Sequence, residues 1–117
     1  MSQFSKVLLS GSTQGKSIKI AATATAGTLI HTAVSGTSDL DEIWLYAVNS
    51  SSSAVKLTIE WGEATAPDGN IEITIPAEEG LMLVAPGLLL QNGLVVRGFA
   101  ATGNVICIQG YVNRIIA

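Results

Sequence analysis

The chain has 117 residues and a mass of 12.1 kDa, the size of one domain with its own core, read here as a single domain over 1–117. Six cations and nine acids make charged residues 13% of the chain, where about 25% is usual for soluble domains, and the net charge is −3. The cations are scattered at Lys6, Lys16, Lys19, Lys56, Arg97 and Arg114, so no basic stripe for nucleic acid can be drawn, and the one cysteine, Cys107, excludes an intrachain disulfide.

The first third of the chain gives weak strand signals at 6–10, 17–23 and 28–33, and the alternating threonines of 21–26 also lean towards strand. Gly11-Ser12-Thr13-Gln14-Gly15-Lys16-Ser17 has the look of a phosphate-binding loop. Only three residues separate its glycines where four are needed, and Ile18-Lys19-Ile20 continues as a strand rather than a helix. A turn is the expectation there. From 41 to 61 the reading is a hairpin, with strands at 41–49 and 54–61 and a serine-rich tip at 50–53. On the return strand Val55, Leu57, Ile59 and Trp61 share one face, and Lys56, Thr58 and Glu60 the other. Ala66-Pro67-Asp68-Gly69-Asn70 is strong turn chemistry before the alternating Ile71, Ile73 and Ile75. An apolar strand at 81–85 follows, with Pro86-Gly87 bending the chain into 88–90. Asn92-Gly93 and Thr102-Gly103-Asn104 mark further turns, leading into strands at 94–99 and 105–115.

Eight or nine short antiparallel strands with a turn about every ten residues predict an all-β fold, a single β-sandwich of jelly-roll type. Four of these strands, 43–48, 81–85, 94–96 and 105–108, are apolar on both faces. A half-exposed strand should alternate apolar and polar residues. Strands apolar on both sides are covered on both sides, and with no helix in the reading, another chain becomes the cover. Thirty Ser, Thr, Asn and Gln residues offer another way to wet the surface, but the sparse charge favours a surface hidden by partners.

No residue pattern announces chemistry. Asp39, Asp41 and Glu42 stand close in sequence without the spacing of a calcium loop, and a single histidine, His31, cannot build a two-histidine metal site. No metal or cofactor is expected. A Ser-His-Asp grouping would not show in sequence spacing, yet no serine sits in a nucleophile elbow, and His31 is read as structural. Cys107, in an apolar strand, is read as a small buried hydrophobe. The carboxylates form no recognisable acid pair. The expectation is therefore not an enzyme. Among the aromatics, Trp61 continues the inner face of its strand. Trp44 and Tyr46 share the face opposite Ile43 and Leu45, and they are the candidate interface residues, with sugar stacking as the lesser alternative. Residues 1–6 lack the basic and apolar regions of a secretory leader, and the apolar stretch 81–90 is broken by Pro86 and Gly87. Synthesis in a cytoplasm and no membrane span are expected.

Several phrases carry a resemblance: Asp41-Glu42-Ile43-Trp44-Leu45-Tyr46-Ala47-Val48-Asn49, Val55-Lys56-Leu57-Thr58-Ile59-Glu60-Trp61-Gly62, and Ile75-Pro76-Ala77-Glu78-Glu79-Gly80. Pro86-Gly87-Leu88, Asn92-Gly93-Leu94 and Gly110-Tyr111-Val112-Asn113-Arg114 extend it to about two thirds of the chain. In these the chain resembles small virion proteins of tailed bacteriophages. The resemblance implies a capsid decoration or cement protein, a homo-oligomer and most often a trimer, whose partners are its own copies and the major capsid protein or another virion protein. It implies an address on the virion, at the capsid surface, after synthesis in the host cytoplasm. Tail, fibre or neck components share these idioms, and a carbohydrate-binding β-sandwich module is the remaining alternative. The shared phrases are hairpin and turn idioms, so they assign no catalytic residue.

Overall fold

A computed structural model describes residues 3–117. Nine strands follow in order: β1 (Gln3–Val7), β2 (Ile18–Lys19), β3 (Thr28–Thr32), β4 (Leu40–Asn49), β5 (Val55–Trp61), β6 (Asn70–Ile75), β7 (Met82–Leu90), β8 (Val95–Ala100) and β9 (Ile106–Ile116). Among the described residues there is no helix. One sheet runs β1-β9-β4-β7, with β2 also paired to β9, and the other runs β3-β8-β5-β6. Every pairing is antiparallel. From β2 onward each strand crosses to the opposite sheet, except at the β5–β6 hairpin. That alternation is the jelly-roll winding, as the strand pattern leads one to expect.

Period-two alternation builds the core. On β4, Ile43, Leu45 and Ala47 point inward and are buried, and on β5 Val55, Leu57 and Ile59 meet them from the other sheet. Ile106, Ile108 and Val112 of β9, Val84 and Ala85 of β7, and Val96 and Ala100 of β8 complete one continuous cluster. Trp61 packs at the margin of that cluster. The accessible surface is 6009 Å², against roughly 6,000 Å² expected for a compact monomer of this mass. A single copy therefore buries what its size allows, and its exposed apolar groups are not a symptom of loose packing.

Four sequence expectations are corrected. Residues 41–61 are not a hairpin: β4 and β5 lie in different sheets, and the serine-rich segment between them is a corner. Asn49 points inward there, donates to the carbonyls of Ser53 and Ile75 and accepts from the Ser51 N–H, which turns the chain across the core. Pro86-Gly87 does not end a strand, because β7 runs through it. It can do so because β7 is the edge of its sheet, where proline removes no ladder bond, and the register to β4 shifts twice to absorb the bend. Cys107 is half-buried on the outer face, paired with Lys19 and Val48, rather than in the core. Residues 21–26 form no strand.

That last segment has another task. Residues 23–27 reach over the outer face of the β3-β8-β5-β6 sheet to Glu60, which alternation assigns to the solvent side but which is buried. The Glu60 carboxylate accepts the Gly27 N–H at 2.6 Å and the Thr25 hydroxyl. Glycine is required at 27, since a Cβ there would stand 2.4 Å from the Gly98 carbonyl oxygen. Glu60→Ala should cost about 1–3 kcal/mol by leaving the buried Gly27 N–H unpaired. Glu72→Ala, on the same face but half-exposed and paired with Lys56, should change stability by less than about 0.5 kcal/mol. Urea unfolding of the two variants checks this, and equal losses would contradict the covering role of 23–27.

Candidate interaction face

The outer face of the β1-β9-β4-β7 sheet carries the residues singled out by sequence. Because Ile43, Leu45 and Ala47 are buried inward, Trp44, Tyr46 and Val48 point outward and stay half-buried. Trp44 lies opposite Tyr111 of β9, and their rings stack with centroids 6.2 Å apart and planes 12° from parallel. Across the sheet, Gly87 of β7 sits against the other side of Trp44, where a Cβ would meet the indole at 2.9 Å. On the far side the Lys6 ammonium stands 4.9 Å from the Tyr111 ring centre. The result is a ladder across four strands, Gly87, Trp44, Tyr111 and Lys6. Tyr46 is one step along, opposite Gln109 and Leu83.

Polar groups fasten the ladder. The Trp44 indole N–H donates to the Glu42 carboxylate at 2.8 Å, and the Asn113 amide donates to the same oxygen at 2.9 Å. The Asn113 bond and then the Trp44 bond hold the Glu42 carboxyl below its ordinary range. Sequence pairing alone does not reveal Tyr111 as a partner of Trp44, since 67 positions of chain separate them; the β4–β9 register brings them together. Trp44 is thus held between Tyr111 and Gly87, while Tyr46 stands beside the pair on the same face.

A second polar group lies inside the sandwich. His31 of β3 and Asp41 of β4 belong to opposite sheets, and both are buried. The Asp41 carboxylate receives His31 Nε2 at 2.8 Å, Arg114 through Nε at 2.8 Å and Nη2 at 3.0 Å, and the Val34 N–H at 3.0 Å. Ser10 completes the composition of a Ser-His-Asp grouping, but the geometry is not that of one. It is the backbone N–H of Ser10 that donates to His31 Nδ1, at 3.0 Å, while the Ser10 hydroxyl accepts from the Thr32 N–H. A backbone N–H can only donate, so Nδ1 is the acceptor and Nε2 carries the proton given to Asp41. Both ring nitrogens are engaged, and His31 acts as a latch between the sheets, as its structural reading expects. Burial pushes the Asp41 carboxyl up. The bonds from Arg114 and His31, the Arg114 charge and the Val34 N–H outweigh it and hold the carboxyl below its ordinary value.

The other sequence candidates do not converge. Asp41 points inward and Glu42 outward, on opposite faces of β4, while Asp39 accepts the Ala117 N–H. Among the described residues no three metal-ligating side chains cluster, and no ligand-sized cavity opens. The 11–17 segment is a turn closed by Ser12 Oγ donating to the Lys16 carbonyl, and β2 follows it. Comparison with protein-family models, curated proteins and solved structures finds no match.

Proposed function

We propose that the chain is a non-enzymatic structural protein of a tailed-phage virion. It assembles with itself and binds the outside of the capsid as a decoration or cement protein. The observation that carries this reading is the outer face of the β1-β9-β4-β7 sheet, where Trp44, Tyr46, Val48 and Tyr111 remain half-buried and Phe4, Leu83 and Leu89 are exposed. The resemblance of 40–61 and 75–114 to small virion proteins supplies the particle. Binding the assembled shell in preference to its parts stabilises it by mass action and needs no chemistry. Attachment through an apolar face should respond weakly to salt.

Particles lacking the protein, heated beside complete ones, should rupture at lower temperature, and complete particles should retain the protein in a high-salt wash. Unchanged rupture removes the cement role, and release by moderate salt contradicts apolar attachment. Within the protein, Tyr46→Asp should weaken attachment to the particle more than Lys56→Asp, because Lys56 lies on the far sheet's polar face. Equal effects would overturn the choice of face. A tail, fibre or neck address would show as co-purification with those substructures instead of with heads.

A further inference from the structure

The charges are sorted by side of the sandwich. β1 and β2 both pair with β9 and form one lateral edge, while β7 forms the opposite edge of the same sheet. Residues 3–38 contain Lys6, Lys16 and Lys19 and no acid, and all three lysines are exposed. Residues 57–96 contain six acids and no lysine or arginine. Glu60 is buried, and Glu72 is paired with Lys56. The other four, Glu63, Asp68, Glu78 and Glu79, are exposed in the loops that flank β6 and lead into β7.

The register puts these charges at matching heights. Lys6 pairs with Asn113, which pairs with Glu42 near the start of β4, and that end of β4 meets the end of β7. The 62–69 loop, with Glu63 and Asp68, closes the same end, since a Cβ added to Gly62 would meet the Leu90 side chain at 3.3 Å. Lys19 pairs with Cys107, which pairs with Val48 at the other end of β4. There the Glu78 N–H bonds the Asn49 carbonyl, so Glu78 and Glu79 stand at the height of Lys19. Apolar groups accompany both edges. Phe4 and Leu8 are exposed on the basic side, 74% and 53%, and Leu81, Leu83 and Leu89 on the acidic side, 60%, 46% and 52%.

We propose that these two edges are the two halves of one self-contact: the β1–β2 edge of one copy docks side by side on the β7 edge of the next. Lys6 then swings from the Tyr111 ring to face the 62–69 loop, Lys19 faces Glu78 and Glu79, and the exposed leucines of β7 cover Phe4 and Leu8. Because the two halves differ, the contact is head-to-tail, and it closes into a ring where the rotation between successive copies divides a full turn. Such edges in a lone chain would invite uncontrolled pairing; Pro86 and the two register breaks of β7 leave side-chain docking in place of a continuous sheet. Opposite charge on the two edges also fixes polarity, since basic-to-basic and acidic-to-acidic approaches repel.

This inference deepens the self-assembly of the proposed function and rests on it. The test is the light-scattering mass of four proteins of 117 residues: wild type, Lys6→Glu/Lys19→Glu, Asp68→Lys/Glu79→Lys, and the chain carrying all four changes. All four sites are exposed, and circular dichroism should confirm that each protein keeps its β fold. Each double reversal should raise the dissociation constant about tenfold or more, by replacing two attractions with two repulsions. The fourfold chain should regain the wild-type mass, because it restores complementarity with the signs exchanged. A wild-type oligomer whose double reversals keep its mass, or whose fourfold chain stays apart, would overturn the edge contact while leaving self-assembly standing. A monomeric wild type would remove both.

Discussion

Replacing Asp41 with alanine should cost about 3–5 kcal/mol, a large share of the roughly 5–15 kcal/mol that holds a domain folded. The carboxylate is fully buried and takes four hydrogen bonds, three of them on one oxygen. Without it the guanidinium of Arg114 and the Nε2–H of His31 lose their acceptor inside the sandwich, and the tie between β3, β4 and β9 is broken. The effect has a pH signature. The native Asp41 carboxyl titrates below the ordinary value of 3.8, so its stabilisation is complete above that pH and fades as acid carries the protein down through the lower native value. Urea unfolding at a series of pH values should show the gap between wild type and Asp41→Asn narrowing below pH 3.8. A gap that stays constant into acid would contradict the ionic role of Asp41.

Gly110→Ala should be the second severe change, destabilising by about 1–3 kcal/mol or more. Gly110 faces Leu45 in the β4–β9 ladder, and a Cβ there would lie 2.0 Å from the Trp44 carbonyl oxygen. The obstacle is backbone, so one of the two central strands must move, and the Trp44–Tyr111 stack moves with it. Gly93→Ala meets nothing within 4 Å and pays only for a left-handed backbone angle of 66°. It should cost about 1 kcal/mol. Thermal unfolding of both variants decides the order, and a Gly93 variant as unstable as the Gly110 variant would refute the close approach.

The alternation of strand faces was legible in the residues, and with it the jelly roll and the outward aim of Trp44 and Tyr46. The same parity also places Asp41 with Ile43 and Leu45 and Asn49 with Ala47. Acids before a strand look like solubilising groups, yet stepping back from Ile43 by two points Asp41 at the core. The corner at 50–53 was not legible. Serines suit a hairpin tip and an inter-sheet corner equally, and only the inward turn of Asn49 separates them. Nor was the burial of Glu60, whose covering segment lies more than thirty positions away. The Trp44–Tyr111 ladder is likewise a product of register, which pairs β4 with the last strand of the chain.

In the proposed assembly, one copy of this sandwich is an incomplete surface that other protein completes. The most direct test is the mass of the purified wild-type chain by light scattering over a dilution series at micromolar concentration. Self-assembly should appear as one defined oligomer, an integer multiple of 12.1 kDa, that dissociates only on dilution. A 12.1 kDa species throughout, with no concentration dependence, would contradict it.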